Sequence, residues 1–278
     1  MPRPVEPSLW WVIPGAVALA LLLLLRLHVL GRGVRLCWRF TAPAGLAGAL
    51  AMLVGGVIGA LIASKFTSAD GSIRDTVLLM AGTWIGGAAV ILLLLASRTV
   101  RPTRADSGSH RRATLVGACI MGVVGLALFW PLTVAVTTLG AFVHTWITGQ
   151  PPSDIAHGLL RSLVDAGPTP WTWSMVALAA VVPPLLEEVL YRGLVQESLR
   201  RSSFGRARGA WRAIIATSMI FVVMHLGAVE LHALPGLFVL SLGFGWASAC
   251  TGRLATSITM HMLFNAGNLL LAVPWITG

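Results

Sequence analysis

The chain is short of charge. Asp, Glu, Lys and Arg make up 11% of its 278 residues, hydrophobic residues 56%, and the mean hydropathy is +0.82. Soluble domains carry roughly a quarter charged residues, so an ordinary soluble fold is excluded and a membrane protein is implied. Acid is scarcer than base, with 10 Asp and Glu against 20 Lys and Arg and a net charge of +10. That excess does not indicate nucleic acid as a partner, because the basic residues stand in short loops between apolar runs, where they encode topology. Lysine is almost missing: Lys65 is the only one, which reads as coding bias. Cysteine is limited to Cys37, Cys119 and Cys250. Scattered and odd in number, they exclude a disulfide framework or zinc knuckle and read as small core hydrophobes. The first apolar run lacks a small-residue cleavage site and more runs follow, so it reads as a retained span. No soluble domain and no sequence repeat is visible.

What the chain does have is apolar runs. The first covers Leu9 to Leu25, with Trp10 and Trp11 at its start, and ends in Arg26, His28, Arg32, Arg35 and Arg39. The second, Ala42 to Ser64, holds Gly55 and Gly59, and the third, Thr76 to Ala96, holds Gly82 and Gly86. Both pairs have the GxxxG spacing of close helix contacts. A basic, turn-rich stretch, Arg98 to Arg112, precedes a fourth run from Ala113 to Ile147 that is long for one span of about 20 residues; Pro131 is expected to kink it or its end to project. Gly149 to Trp171 reads as an extramembrane loop with a short amphipathic helix at Ile155 to Val164. Four more runs follow: Trp171 to Leu194, Ala213 to Leu226, Leu234 to Cys250 and Leu254 to Ile276, with Arg200, Arg201, Arg206, Arg208 and Arg212 in the loop between the first two of these. The expectation is an all-α polytopic membrane protein of about eight transmembrane helices with the site among the last four. It divides into residues 1–112, three helices with basic loops; 113–170, the long fourth helix and outer loop; and 171–278, the functional core. Trp130, Trp146, Trp171 and Trp173 read as interface anchors.

Alternate loops hold 16 of the basic residues, and only Arg3, Lys65, Arg74 and Arg161 fall on the other side. The positive-inside bias predicts both termini outside and a site that opens to the cytoplasm; an integral protein of a prokaryotic plasma membrane is expected. Membrane lipids are expected partners, anionic heads being attracted to the arginine-rich loops.

Ions inside spans are costly and need a reason. Pro183-Pro184-Leu185-Leu186-Glu187-Glu188-Val189-Leu190-Tyr191-Arg192-Gly193 ends the fifth run. Glu188 and Arg192 are spaced i, i+4 and share a helix face, so they pair. Glu187 points about 100° away, lacks a local partner, and has the character of a general base. Pro183 and Pro184 predict a kink and carbonyls without helical donors. Phe221 to His225 lies in the sixth run, and His261 and Asn265, again i, i+4, lie in the eighth. Three apolar helices with one polar cluster each are expected to converge, since convergence satisfies all of them.

EExxxR, FxxxH and HxxxN in this order on separate spans resemble the CPBP family of membrane proteins, which includes type II CAAX prenyl endopeptidases and bacteriocin-processing enzymes. The match lies on Glu187, Glu188 and Arg192, on Phe221 and His225, and on His261 and Asn265, and covers Trp171 to the C-terminus. The resemblance implies intramembrane proteolysis of a peptide or protein delivered at the membrane, prenylated CAAX tails being the best-known substrates. It implies Glu187 as base, His225 as its partner on a water, His261 and Asn265 as oxyanion donors, and Glu188 with Arg192 shaping the site. It leaves two chemistries open. One is a single divalent metal such as zinc on Glu187, His225 and His261, although HExxH is absent; the other is metal-free hydrolysis.

Taken singly, each of these residues has a plainer reading: a helix-end ion pair for Glu188 and Arg192, packed histidines, interhelical glue for Asn265. Their joint presence favours a site. His28, His110, His144 and His157 carry no such support, and Glu230 and His232 fall in a turn on the far side from the motifs unless that turn folds back. Two other functions stand beside proteolysis. One is a non-catalytic relative acting as an immunity or scaffold protein; the other is a small proton-coupled transporter using Glu187, for which inverted repeats are not visible.

Overall fold

A computed structural model describes residues 10, 12–24, 38–68, 71–102, 113–153, 155–202 and 210–277. Trp11, His28, Cys37, His110, Arg206, Arg208 and the basic stretches 26–35 and 103–112 lie outside the described residues.

Hydroxyl side chains start the long helices. Thr41 caps α2 (Ala42–Ala63), Ser72 caps α3 (Ile73–Ala96), Thr114 caps α4 (Leu115–Thr148) and Thr169 caps α6 (Pro170–Glu188), each accepting an N–H that the first helical turn leaves unbonded. α1 (Val12–Leu24) precedes them, and α5 (Gly158–Ala166) is the short helix of the predicted outer loop, three residues shorter at its start than the pattern suggested because His157 caps it. Beyond α6 the helix widens into a π turn, Val189–Gln196, and continues as α7 (Glu197–Arg201). α8 (Ala210–Met224), α9 (Leu234–Thr251) and α10 (Leu254–Thr277) complete the chain. Gly149 and Gly252, at φ 74° and 67°, end α4 and α9 in the left-handed conformation that glycine adopts without a Cβ clash. Apart from a two-residue antiparallel pairing of β1 (Trp38–Arg39) with β2 (Arg101–Pro102), the regular structure of the described residues is helical.

Among the described residues, five helices are long and apolar enough to cross a membrane: Ala42–Phe66, Ile73–Ala96, Leu115–Thr148, Pro170–Arg201 and Leu231–Thr251. Val12–Leu21 and Ala210–Met224 are shorter apolar helices. α10 is 24 residues long, but His261, Asn265 and Asn268 dilute its apolar character. The protein is thus an integral membrane protein, and its exterior agrees: Leu50, Leu92 and Val116 are 64%, 66% and 69% exposed, as suits side chains bathed in lipid. α4 runs unbroken through Pro131, and its 34 residues measure about 51 Å, well beyond a hydrocarbon core of about 30 Å. Trp146 is exposed at its end, whereas Trp130 turns inward, with its ring 5.6 Å from that of Phe264. Arg200 and Arg201 are not loop residues: both bond to the buried Glu197 at 2.7 Å, and Arg201 also reaches the carbonyl of Phe40.

α6 is the hub. Leu186, with Leu190 and Leu194 of the π turn that continues it, packs with Met52 of α2 and Phe221 of α8, while Met175 and Ala179 on its earlier turns pack with Leu163 of α5 and Leu269 of α10. α4, α9 and α10 form a second layer around Phe129, Phe244 and Met260. α2 and α3 meet through the predicted glycine pairs. A Cβ on Gly86 would strike the carbonyl of Gly55, and one on Gly59 the carbonyl of Gly82. Gly86→Val is therefore expected to force the two helices apart at a cost of about 1–3 kcal/mol, read as a lower thermal unfolding midpoint of the purified protein; an unchanged midpoint would refute the close contact.

Candidate active site

Pro183 has no N–H to give to the carbonyl of Ala179, four residues earlier. Asn265 supplies the missing donor across the helix interface, its Nδ2 lying 3.2 Å from that oxygen. The proline pair does not break α6, which runs on to Glu188; the irregularity that follows is the π turn. Such turns recur at functional sites because they re-aim side chains.

The π turn carries Arg192 into the protein interior. Arg192 and Glu188 are fully buried. Arg192 donates from Nη1 to Glu188 Oε1 at 3.1 Å and from Nη2 to the carbonyl and Oγ of Ser241 in α9, at 3.0 and 2.8 Å. Its guanidinium carbon also lies 5.0 Å from the ring centroid of Phe221 and 5.2 Å from that of Phe244, within cation–π range. The expected Glu188–Arg192 pair is thus present, with aromatic faces and a serine supplying part of the solvation that water no longer gives; Glu188 Oε2 and Arg192 Nε have no hydrogen-bond partner among the described residues.

His261 extends this unit toward Glu187. Its Nδ1 lies 2.9 Å from Glu188 Oε1 and its Nε2 lies 3.9 Å from Glu187 Oε2, while its ring stacks on Phe244. The two adjacent glutamates differ as their helical directions predict: the Glu188 side chain is 0% exposed, that of Glu187 14%. His225 follows the last turn of α8. Its Nδ1 lies 2.7 Å from the carbonyl of Phe221, which only accepts, so Nδ1 holds the proton and Nε2 is a bare acceptor. The Phe221 ring also packs at a tilt against His225 with centroids 4.3 Å apart, which gives the FxxxH spacing its physical content.

Glu187 and His225 line a cavity of about 300 Å³. Tyr191 and His157 line it too, and Met52, Thr83 and Trp84 bring α2 and α3 into its wall. Neither His261 nor Asn265 is in that lining. His261 Nδ1 bonds to Glu188 and Asn265 Nδ2 to the carbonyl of Ala179, while Nε2 of His261 lies 3.9 Å from Glu187 Oε2. His144 and His232 pair with each other, centroids 5.9 Å apart, and Glu230 binds Arg161 at 3.2 Å.

Two cavity residues lay outside the sequence expectation. Tyr191 is the chain's one tyrosine, four residues after Glu187, and its spacing was the signal that pointed to it. His157 had none. It reaches the cavity because the turn after His225 folds back onto the loop before α5: Gly158 N–H donates to the carbonyl of Ala228 at 3.0 Å, and Glu230 N–H to that of Ala156 at 2.9 Å. Burial lowers the pKa of His157 from its ordinary value, so the ring is neutral near pH 7.

The donor chemistry of Glu187, His225 and His261 suits zinc, and both imidazoles give their Nδ1 to an oxygen, as metal-bound histidines do. The geometry does not follow: among the described residues, no three His, Cys, Asp or Glu side chains come together closely enough to hold an ion. No step is therefore routed through a metal.

Removing Arg192 strands the buried Glu188 carboxylate. Arg192→Leu is expected to cost about 3–5 kcal/mol of stability, and the Glu188→Leu/Arg192→Leu double variant less than the sum of the singles, measured by chemical unfolding of all three. Additive losses would mean that the two side chains do not act as one unit.

The family model described as Type II CAAX prenyl endopeptidase Rce1-like matches residues 169–267. No curated protein and no solved structure matches the chain. The matched stretch begins at the cap of α6 and ends two residues past Asn265, so it takes in all three polar clusters and leaves out His157, α2 and α3. Residues 169–267 of this membrane protein are therefore similar to a type II CAAX prenyl endopeptidase Rce1-like domain.

Proposed function

We propose that the chain is an intramembrane endopeptidase that hydrolyses a peptide bond by a glutamate-activated water, without a metal. The observation that carries this reading is the pair of acceptors on one cavity, the carboxylate of Glu187 and the bare Nε2 of His225. A water between them donates one hydrogen to each and keeps a lone pair for attack. Its oxygen bonds to the carbonyl carbon of the peptide while one proton passes to Glu187. The carbonyl π pair moves onto oxygen. When the tetrahedral intermediate collapses, the C–N bond breaks and Glu187 returns its proton to the leaving amine nitrogen. A base of this kind contributes about 100- to 10,000-fold.

Arg192 and Glu188 are positioning residues in this mechanism, and so is His261, which ties Glu188 to the neighbourhood of Glu187. The substrate is a peptide or protein segment presented at the membrane, with prenylated CAAX-type tails as the first class to try. Eight spans, counting α1, α8 and α10, termini outside and access from the cytoplasm belong to the same reading, supported by the distribution of arginines.

The test is cleavage of membrane-anchored and prenylated peptides by purified protein in liposomes. Wild type is expected to cleave, Glu187→Ala to lose at least 100-fold of the rate while unfolding at the same temperature, and a chelator to leave the wild-type rate unchanged. Proton-coupled flux that Glu187→Gln abolishes, with no peptide cleaved, would turn the assignment to transport. A rate that the chelator abolishes and zinc restores would overturn the metal-free chemistry.

A further inference from the structure

Glu188, Arg192, Gln196 and Arg200 recur at every fourth residue, a polar row that begins at the candidate active site. An α-helix would rotate such a row by about 40° at each step. The wider π turn over Val189–Gln196 opposes that drift and leaves Arg192 and Gln196 both turned to α9. Arg192 bonds Ser241, and Gln196 Nε2 donates to the carbonyl of Gly245, one turn further along α9, at 3.2 Å. Glu188, Arg192 and Gln196 are buried, and the row comes out at Arg200, whose side chain is 17% exposed.

α8 faces the same row. Phe221 lies against Arg192, and Thr217, one turn earlier on that face of α8, falls at the level of Gln196. Ile214 confirms the level: Gln196 Oε1 and Ile214 Cγ2 lie 2.6 and 2.9 Å from the point that a Cβ on Gly245 would occupy.

Each residue along the buried part of this row leaves a polar atom unpaired. Glu188 Oε2, Arg192 Nε, Gln196 Oε1 and Thr217 Oγ1 are buried without a hydrogen-bond partner among the described residues. The Ser257 hydroxyl on α10, close to Glu188, gives its hydrogen to the carbonyl of Leu254 at 3.2 Å. Buried polar atoms left unpaired are costly, and the usual remedy is a water with about three polar partners. Two acceptors, one N–H and one hydroxyl that can donate or accept are a suitable lining for hydrogen-bonded water. Side chains one turn apart on a helix are about 5–6 Å apart, which one bridging water covers with two hydrogen bonds of about 2.8 Å.

We propose that these four atoms hold a file of water running from Glu188 past Gln196 and Thr217 to the arginine-rich end at Arg200. Water and protons reach the glutamate pair along this row. None of its residues lines the cavity that Glu187 and His225 share, so the file stays wet when a ligand fills that cavity, and it does not depend on what reacts there.

The test is X-ray hydroxyl-radical labelling of the purified full chain in liposomes, read residue by residue by mass spectrometry. The radicals form from water where it sits, so a fully buried side chain is labelled only beside a bound water. Ile214 is expected to label about fivefold faster than Leu163, which is as buried but packs among apolar side chains. Thr217→Val keeps the shape and removes the hydroxyl, and is expected to bring Ile214 down to the rate of Leu163, whereas Thr217→Ser keeps the wild-type rate. Water labelled with heavy oxygen and mixed in before exposure is expected to appear in the Ile214 product, because the file exchanges with bulk at Arg200. Ile214 labelled no faster than Leu163, labelling that Thr217→Val leaves unchanged, or a product that keeps the original oxygen after mixing would overturn the inference. The wild-type comparisons decide even if Thr217→Val fails to fold. All of them are made without substrate, so their failure leaves the endopeptidase reading standing, and a failure to cleave leaves the water file standing.

Discussion

The interaction on which the rest depends is the buried contact of Arg192 with Glu188. Neither charge has water, so each must be solvated by protein, and the cost of failing is several kcal/mol per ion. Arg192 reaches Ser241 on α9 and lies between the rings of Phe221 on α8 and Phe244 on α9. Glu188 in turn takes Nδ1 of His261 on α10. One ion pair, between the last residue of α6 and the π turn that follows, thus fixes the approach of three other helices, and the π turn is what carries the guanidinium into reach of all of them. Glu187, one residue before Glu188, gains its position from this frame and escapes its constraints: its carboxylate faces a cavity.

A second constraint comes from backbone groups that lipid cannot satisfy. Pro183 frees the Ala179 carbonyl, and Asn265 answers it from α10. The turn after His225 is an irregular stretch beside the cavity, and its N–H and C=O groups are bonded to the loop before α5. In water such groups could be left to solvent; within a membrane protein they draw segments together. The placing of His157 follows from that requirement.

The helices outside the matched domain have a physical role in this arrangement. The glycine contacts of α2 and α3 let two backbones approach as one slab, and Met52, Thr83 and Trp84 on that slab wall the cavity opposite α6 and α8. The domain match covers Glu187, Glu188 and Arg192, while the cavity that Glu187 lines is built jointly with helices that carry no polar motif.

The sequence by itself determined the membrane setting, the helices and the pairing of Glu188 with Arg192. Each follows from composition, from apolar periodicity or from the i, i+4 rule, all local along the chain. It also singled out Phe221, His225, His261 and Asn265, because a polar residue inside an apolar run is conspicuous wherever it occurs. The sequence was silent on the π turn, since that depends on what a buried arginine can reach. It misdirected the reading of Trp130, whose neighbour Phe264 lies on another helix, and of His157, a histidine in a polar loop where nothing marks it. Only the tertiary structure decided which side chains share the cavity, which ring nitrogens keep their protons, and that Asn265 serves a carbonyl. The reason is physical: these properties are set by hydrogen bonds between residues far apart in sequence, and a one-dimensional pattern contains donors and acceptors without saying which of them meet.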